Sequence, residues 1–315
     1  MSRLRGELAA HAAIVIAAVL FGTTFVIVKD AVADARPIPF LGVRFTAGAV
    51  ALAPLARRRL RERGPQPGLV KAGALCAAAL CTGYVFQTVG LQYTTASVSA
   101  FVTYLLVVLV PLLSALVLRR VPPVTVLAGV AVATAGLVLL TGHGAGFHRG
   151  EALTLGCALA FAVHVLLLGD LAPRFDAVAL TAVQLGMVGV VCLVAGLATG
   201  GFAFSARAWA AAVYTGVAVS ALALGLQVWG QRRVGPTRTA VLLMIEPVSA
   251  ALLGAAMGER LGVAGATGAG LILAGILLSE LRLPALARLD RIVAAGDTLD
   301  LTLTSLPSVE KERNG

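Results

Sequence analysis

The sequence predicts an all-α polytopic membrane protein of ten transmembrane helices, built as two inverted five-helix repeats. Three observations carry that prediction. Apolar runs of about 20 residues, the length that crosses a hydrocarbon core of roughly 30 Å, follow one another along the chain. Charges crowd into the short stretches between those runs. The second half of the chain matches the first at an offset near 140 residues.

Composition sets the class. The 315 residues are 59% hydrophobic and 13% charged, against about 25% charged in a soluble domain, and mean hydropathy is +0.94. The net charge of +10 sits in inter-helix loops, with no folded basic domain to carry it. It therefore reads as a topology signal and an attraction to anionic lipid, and no nucleic-acid partner is expected. The expected surroundings are the bilayer of a plasma or inner membrane. Cys76, Cys81, Cys157 and Cys192 fall inside apolar runs without zinc spacing, so they read as buried free thiols, and no metal or cofactor is expected.

The spans lie near 8–30, 37–56, 69–91, 95–118, 124–141, 150–172, 177–199, 207–231, 236–257 and 262–281. The first apolar run continues to about residue 31, too long for a cleaved signal, so it reads as a retained span. The separators ADARPIP, RRRLRERGPQPG, RRVPP, TGHGAGFHRG, APRFD, TGGFAFS, RRVGP and GERLG carry turn chemistry or charge. The chain thus divides into an N-terminus (1–7), a first repeat (8–141), a second repeat (150–281) and a tail (282–315). The start of the tail sets Leu286, Leu289, Ile292 and Val293 against Arg288 and Arg291. That pattern suits a short amphipathic helix on the cytoplasmic leaflet, with a disordered remainder.

Orientation follows from the basic residues. With a cytoplasmic N-terminus, 19 of the 25 Lys and Arg residues fall on the cytoplasmic side, and only Lys29, Arg36, Arg44, Arg149, Arg207 and Arg260 fall on the other. Both termini are therefore expected in the cytoplasm.

The internal match is concerted. Gln87-Thr-Val-Gly90 aligns with Gln227-Val-Trp-Gly230, and the same offset of 140 pairs Phe21 with Phe161, Thr24 with His164, Asp30 with Asp170 and Arg44 with Gln184. Gly129 and Gly136 match Gly268 and Gly275 at 139, and Pro111 matches Pro247 at 136, which requires a four-residue insertion in the first copy. Each copy holds five spans, an odd number, so the second must sit upside down relative to the first. Inverted repeats of this kind place a transporter's substrate site near midplane between the copies.

Several stretches resemble the ten-span EamA-type branch of the drug/metabolite transporter superfamily. They are LFGTTFVIVK, PIPFLGVRFTAGA, VGLQYTTASVSAFVTYLLVVLVPLLSALV and, over spans eight to ten, LGLQVWGQRRVGPTRTAVLLMIEPVSAALLGAAMGERLGVAGATGAGLILAGILL. The sequence departs from that family at Phe21, where Trp is common, and at RRVPP (119–123), which replaces an acidic end of span four that the second copy keeps as Glu259. The resemblance implies export or exchange of small metabolites or drugs, often amino-acid-like, through a cavity between the two bundles.

Candidate site residues centre on span nine, where Glu246 stands near the midplane and Pro247 follows it. A carboxylate at that depth is costly and by default functional, either loading protons or binding a substrate amine. The structural alternative is a carboxyl that bonds backbone groups freed by the proline. By the proline alignment its first-copy counterpart is Val110. Pro111 and Pro247 each remove a backbone donor and free the carbonyl four residues back, so paired breaks point to a cavity and hinges, with plain kinking as the alternative. Gln87 and Gln227 are expected near opposite faces, as alternating gates or as inter-helix hydrogen-bonding glue. His164 reads as a relay to Glu246 or as a packing residue. Tyr104, Tyr214 and Trp229 read as pocket walls or lipid-facing aromatics. Arg44 is expected either to snorkel outward or to hold an anionic substrate group, and the family resemblance implies a structural role. Glu259 and Arg260 read as a solvated pair. The Gly and Ala of VAGATGAGLILAG and GLATG favour close helix approach and offer a dimer face.

The function expected is secondary active transport, most simply proton-coupled export of a small metabolite. No GxxxxGK[ST] loop serves an ATP pump, and no HExxH or GxSxG serves a membrane enzyme acting on lipid. A non-transporting scaffold or sensor remains the other class, though it would have no need of midplane Glu, Gln and Pro.

Overall fold

Lipid offers backbone groups no hydrogen bonds, so a chain this apolar satisfies them within helices. The computed structural model describes residues 2–117, 124–141, 148–198, 200–234, 239 and 242–280, and among them there is helix and no strand. The helices are α1 (Ser2–Ala31), α2 (Pro37–Arg63), α3 (Leu69–Gly90), α4 (Ala96–Thr103), α5 (Leu106–Val117), α6 (Val124–Thr141), α7 (Arg149–Leu171) and α8 (Ala177–Ala198). They continue with α9 (Ala206–Val234), α10 (Ile245–Ala256) and α11 (Gly262–Glu280). Seven spans are long and apolar enough to cross a membrane, α4 and α5 counting as one, and α6, α10 and α11 are shorter apolar helices. The ten-span, multi-pass architecture therefore stands. The expected tail helix lies outside the described residues.

Three boundaries differ from expectation. Helix α2 continues through the basic stretch to Arg63, because Arg, Leu and Glu are good helix formers and Arg58 pairs with Glu62 one turn on at 2.8 Å. Span four is divided by a turn at Tyr104 and Leu105, well before Pro111, which sits inside α5. Span nine turns at Met244, so Pro247 falls in the first turn of α10, where its missing N–H has no intrahelical role. The turns at 104 and 244 keep the offset of 140. The prolines are therefore not equivalent, and no four-residue insertion is needed.

The glycines show the inversion directly. Pro39 of α2 meets Gly196 of α8, Gly42 meets Leu193, and Thr46 meets Gly189. One number rises as the other falls, so two helices that are each other's repeat equivalents run antiparallel. Helices α6 and α11 do the same: Gly136 meets Gly268, and Gly129 meets Gly275. Where Gly90 of α3 lies against Gly150 and Thr154 of α7, Gly230 of α9 lies against Ala10 and Ile14 of α1. These are the same contact between the copies, made twice by the repeat. Small residues let the backbones approach where no hydrophobic drive operates between helices in lipid.

Alternate connections gather at opposite ends. Arg207, at the start of α9, pairs with Asp30 at the end of α1 at 2.8 Å, and Thr94, before α4, donates to Glu151 of α7 at 2.8 Å. At the other end Arg63 pairs with Asp176 at 3.3 Å, whose backbone N–H donates to Gln66 at 2.8 Å.

Candidate functional site

The two copies enclose a cavity of about 60 Å³. Helix α1 contributes Phe21 and Thr24, α3 contributes Tyr84 and Gln87, and the turn after α4 contributes Thr103 and Tyr104. From the second copy come Phe161 and His164 on α7, Leu224 and Gln227 on α9, and Leu243 and Glu246 around the Met244 turn. Leu80, Leu106 and Val165 complete the wall. The volume holds a few waters.

Most of the wall obeys the offset of 140. Phe21 answers Phe161, Thr24 answers His164, Tyr84 answers Leu224, and Gln87 answers Gln227. Thr103 answers Leu243, and Leu106 answers Glu246. The first-copy counterpart of Glu246 is therefore Leu106 and not Val110. Keeping the offset constant through span four would have exposed this pairing in the sequence, and with it Thr103, Leu106 and Tyr84 as wall residues.

Local structure places each group. The turn at Met244 starts α10 so that Glu246 falls in its first turn. Helix α1 comes close enough to share the wall because Gly22 has no side chain, and a Cβ there would stand 2.8 Å from the Glu246 carbonyl oxygen. Glu246 is half-buried and is the one carboxylate among the described lining residues. His164 is buried, and its Nε2 meets Gln184 Oε1 at 2.8 Å. His164, open between relay and packing residue in the sequence, is thus both on the cavity and held in place by α8. Gln87 Nε2 donates to Thr103 Oγ1 at 3.5 Å. The ring of Tyr84 makes edge contacts with Phe45 and Phe161 at centroid distances of 4.9 and 5.0 Å.

Other predicted groups lie elsewhere. Gln87 and Gln227 do not stand at separate mouths; both line the one cavity. Helix α9 spans 29 residues where about 20 suffice, so a residue seven from its end is still inside the core. Arg44 neither snorkels nor lines the wall. It is 1% exposed, donates from Nε to Ser220 Oγ at 3.0 Å, and lies 4.6 Å over the Tyr84 ring, one layer behind the cavity. Ser220 belongs to a π-helical stretch of α9, Thr215–Ala223, an irregularity common near functional sites. Trp229 lies off the cavity wall, half-buried against the core with Arg233 4.2 Å over its ring, and Tyr214 is exposed. Pro111 lies off the wall, one helical turn too far along α5, while Pro247 is buried beside Glu246. The four cysteines are free thiols. No cluster of potential metal ligands occurs among the described residues.

Comparison with known proteins agrees with this architecture. The model of the EamA-like transporter family matches residues 8–142 and again 148–281. An uncharacterized transporter of Archaeoglobus fulgidus is 30% identical over 278 residues, covering 88% of this chain and 87% of the relative. The uncharacterized transporter YvbV of Bacillus subtilis is 29% identical over 218 residues, covering 66% and 69%. A crystal structure shares the fold with a TM-score of 0.59 at 21% identity, covering 84% of this chain and 94% of that one.

Proposed function

The chain belongs to the EamA-like transporter family, and on that premise we propose that it is a secondary active transporter exporting a small metabolite by alternating access, coupled to protons through Glu246. The observation that carries this reading is the convergence of both copies on one cavity with a single carboxylate among its described lining residues. Membership and relatives alike point to transport rather than catalysis.

The wall supports a substrate class. It offers one carboxylate, two amides, an imidazole and a phenol among Phe and Leu side chains, which suits an amphiphile such as an amino-acid derivative or a cationic drug-like molecule. A proton and a substrate cation competing for Glu246 would give exchange, because the low-dielectric site tolerates only one charge state at a time. At about 60 Å³ the cavity is far below the roughly 300 Å³ of a small-molecule pocket, so loading requires the helices to part on one side. The excess of basic residues in the even-numbered connections and the tail supports an orientation with both termini in the cytoplasm.

The test is flux into proteoliposomes under an imposed pH gradient, screened across amino acids and cationic dyes. Glu246→Gln is expected to abolish gradient-driven flux while sparing counterflow exchange. Unchanged driven flux would remove Glu246 from the mechanism. Absence of any gradient-dependent flux with intact protein would favour a scaffold.

A further inference from the structure

Helix α4 is a short lever. Its eight residues, Ala96–Thr103, span about 12 Å. Its C-terminal end delivers Thr103 and Tyr104 to the cavity wall, and the turn at Tyr104 and Leu105 separates it from α5. Its N-terminal end is held by a residue from the other copy. One oxygen of Glu259 accepts from the Ala96 N–H at 2.8 Å. The other accepts from the Ser97 N–H at 3.0 Å and from Ser97 Oγ at 2.7 Å. Glu259 is therefore not half of a solvated pair with Arg260, as the sequence suggested; it is a clamp across the repeat interface.

The clamp is built. Gly258 takes φ +92°, a conformation that favours glycine, and the Glu259 N–H returns to the Gly254 carbonyl at 2.9 Å, folding the carboxylate back over the end of α10. Gly254 leaves room for it, since a Cβ there would stand 2.6 Å from both Glu259 Oε2 and Ser97 Oγ. The same short segment is gripped from two further directions. Lys29 of α1 donates to the carbonyls of Leu91 and Thr94, and Glu151 of α7 accepts from Thr94 at 2.8 Å. In the first copy the position answering Glu259 falls on Arg119 and Arg120, which have no acceptor to offer.

From this we infer that residues 91–103 form the gate at the Glu259 end of the cavity, and that Glu259 is its latch and a positioning residue for transport. The inference rests on the alternating-access reading above. With the latch engaged, the wall made by Thr103 and Tyr104 is shut. With it released, α4 swings on the Tyr104–Leu105 turn and opens the cavity to that face alone. The sequence makes the device one-sided, because the opposite face has no second carboxylate at the matching place.

The experiment reads opening without needing a substrate. In full-length protein with its four cysteines replaced, Leu106→Cys places a thiol on the cavity wall, and a membrane-impermeant maleimide is added to one face of sealed vesicles at a time. Arg260→Cys, in a parallel protein, identifies the Glu259 face. Glu259→Ala removes all three hydrogen bonds to the carboxylate and is expected to speed labelling of Leu106→Cys from that face by about tenfold or more, which the loss of even one charge-assisted bond would give, with no rise from the other. Gly254→Ala keeps the carboxylate but displaces it, and should act in the same direction; it decides the matter if Glu259→Ala does not fold. Labelling that is unchanged, slower, or faster from both faces alike would overturn the latch. Latch-dependent labelling in a protein that moves no solute would instead sink the transport reading and leave the gate standing.

Discussion

A Cβ at Gly136 would stand 2.6 Å from the carbonyl oxygen of Gly268, and a Cβ at Gly268 would stand 2.6 Å from that of Gly136. At this seam between α6 and α11 the two copies are interchangeable. A few helices away, the cavity sets Leu106 against Glu246, Thr24 against His164 and Tyr84 against Leu224 at the same offset. The frame keeps the two-fold relation in position and in residue type; the wall keeps it in position, and in type at Phe21 and Phe161 and at Gln87 and Gln227, but not at these three pairs. The difference follows from what each must do. A seam needs close backbone approach, which glycine gives to either copy. A site of the kind proposed, taking a substrate and a proton, needs one set of polar groups, and a second midplane carboxylate would add desolvation cost without adding a site.

The largest effect expected comes from moving the asymmetry. Glu246→Leu combined with Leu106→Glu puts the carboxylate on the opposite wall of the same cavity. Gradient-driven flux, lost in Glu246→Leu alone, should return in part in the double variant, since the wall positions are related by the repeat. No recovery would mean that neighbours peculiar to the second copy, His164 above all, are needed beside the carboxylate.

Breaking the symmetric seam should act on stability instead. Gly136→Ala meets backbone on the facing helix, which cannot swing aside, and is expected to destabilise by about 1–3 kcal/mol, read as a lowered detergent melting temperature. Gly270→Ala, on the exposed side of α11, meets nothing within 4 Å and should leave stability unchanged or raise it by up to about 1 kcal/mol. Equal effects from the two would refute the seam.

An effect of similar size is expected behind the wall. Gln184→Leu removes the partner of His164 at 2.8 Å and leaves a buried imidazole unsatisfied, at a cost of about 1–3 kcal/mol. Partial relief in the double variant with His164→Thr, which copies the first repeat, would show that the pair is a unit. Additive losses would show that it is not.

The depth of Glu246 in span nine and the constant offset of Gln87 and Gln227 led to helices that line the cavity. Legibility failed at span four, where the match of Pro111 to Pro247 outweighed the offset that the neighbouring residues kept. A proline is tolerated wherever its N–H is dispensable, inside a membrane helix or in a first turn, so a shared proline is a weaker register mark than a shared wall. Trp229, Tyr214 and Arg44 kept both a wall and a non-wall reading in the sequence for another reason. A helix that is apolar all round carries no moment to tell lipid from protein, and only packing decided which faces turn inward.

What the sequence determined by itself is what the bilayer demands: ten apolar lengths, charge confined to their ends, and a repeat whose odd span number forces inversion. Tertiary structure decided the rest. It chose Leu106 as the counterpart of Glu246, gathered both glutamines into one cavity, hid Arg44 behind Tyr84, and turned Glu259 from a surface charge into a clamp on α4. Each of these depends on contacts between residues far apart in the chain, and hydropathy records only each residue's distance from water.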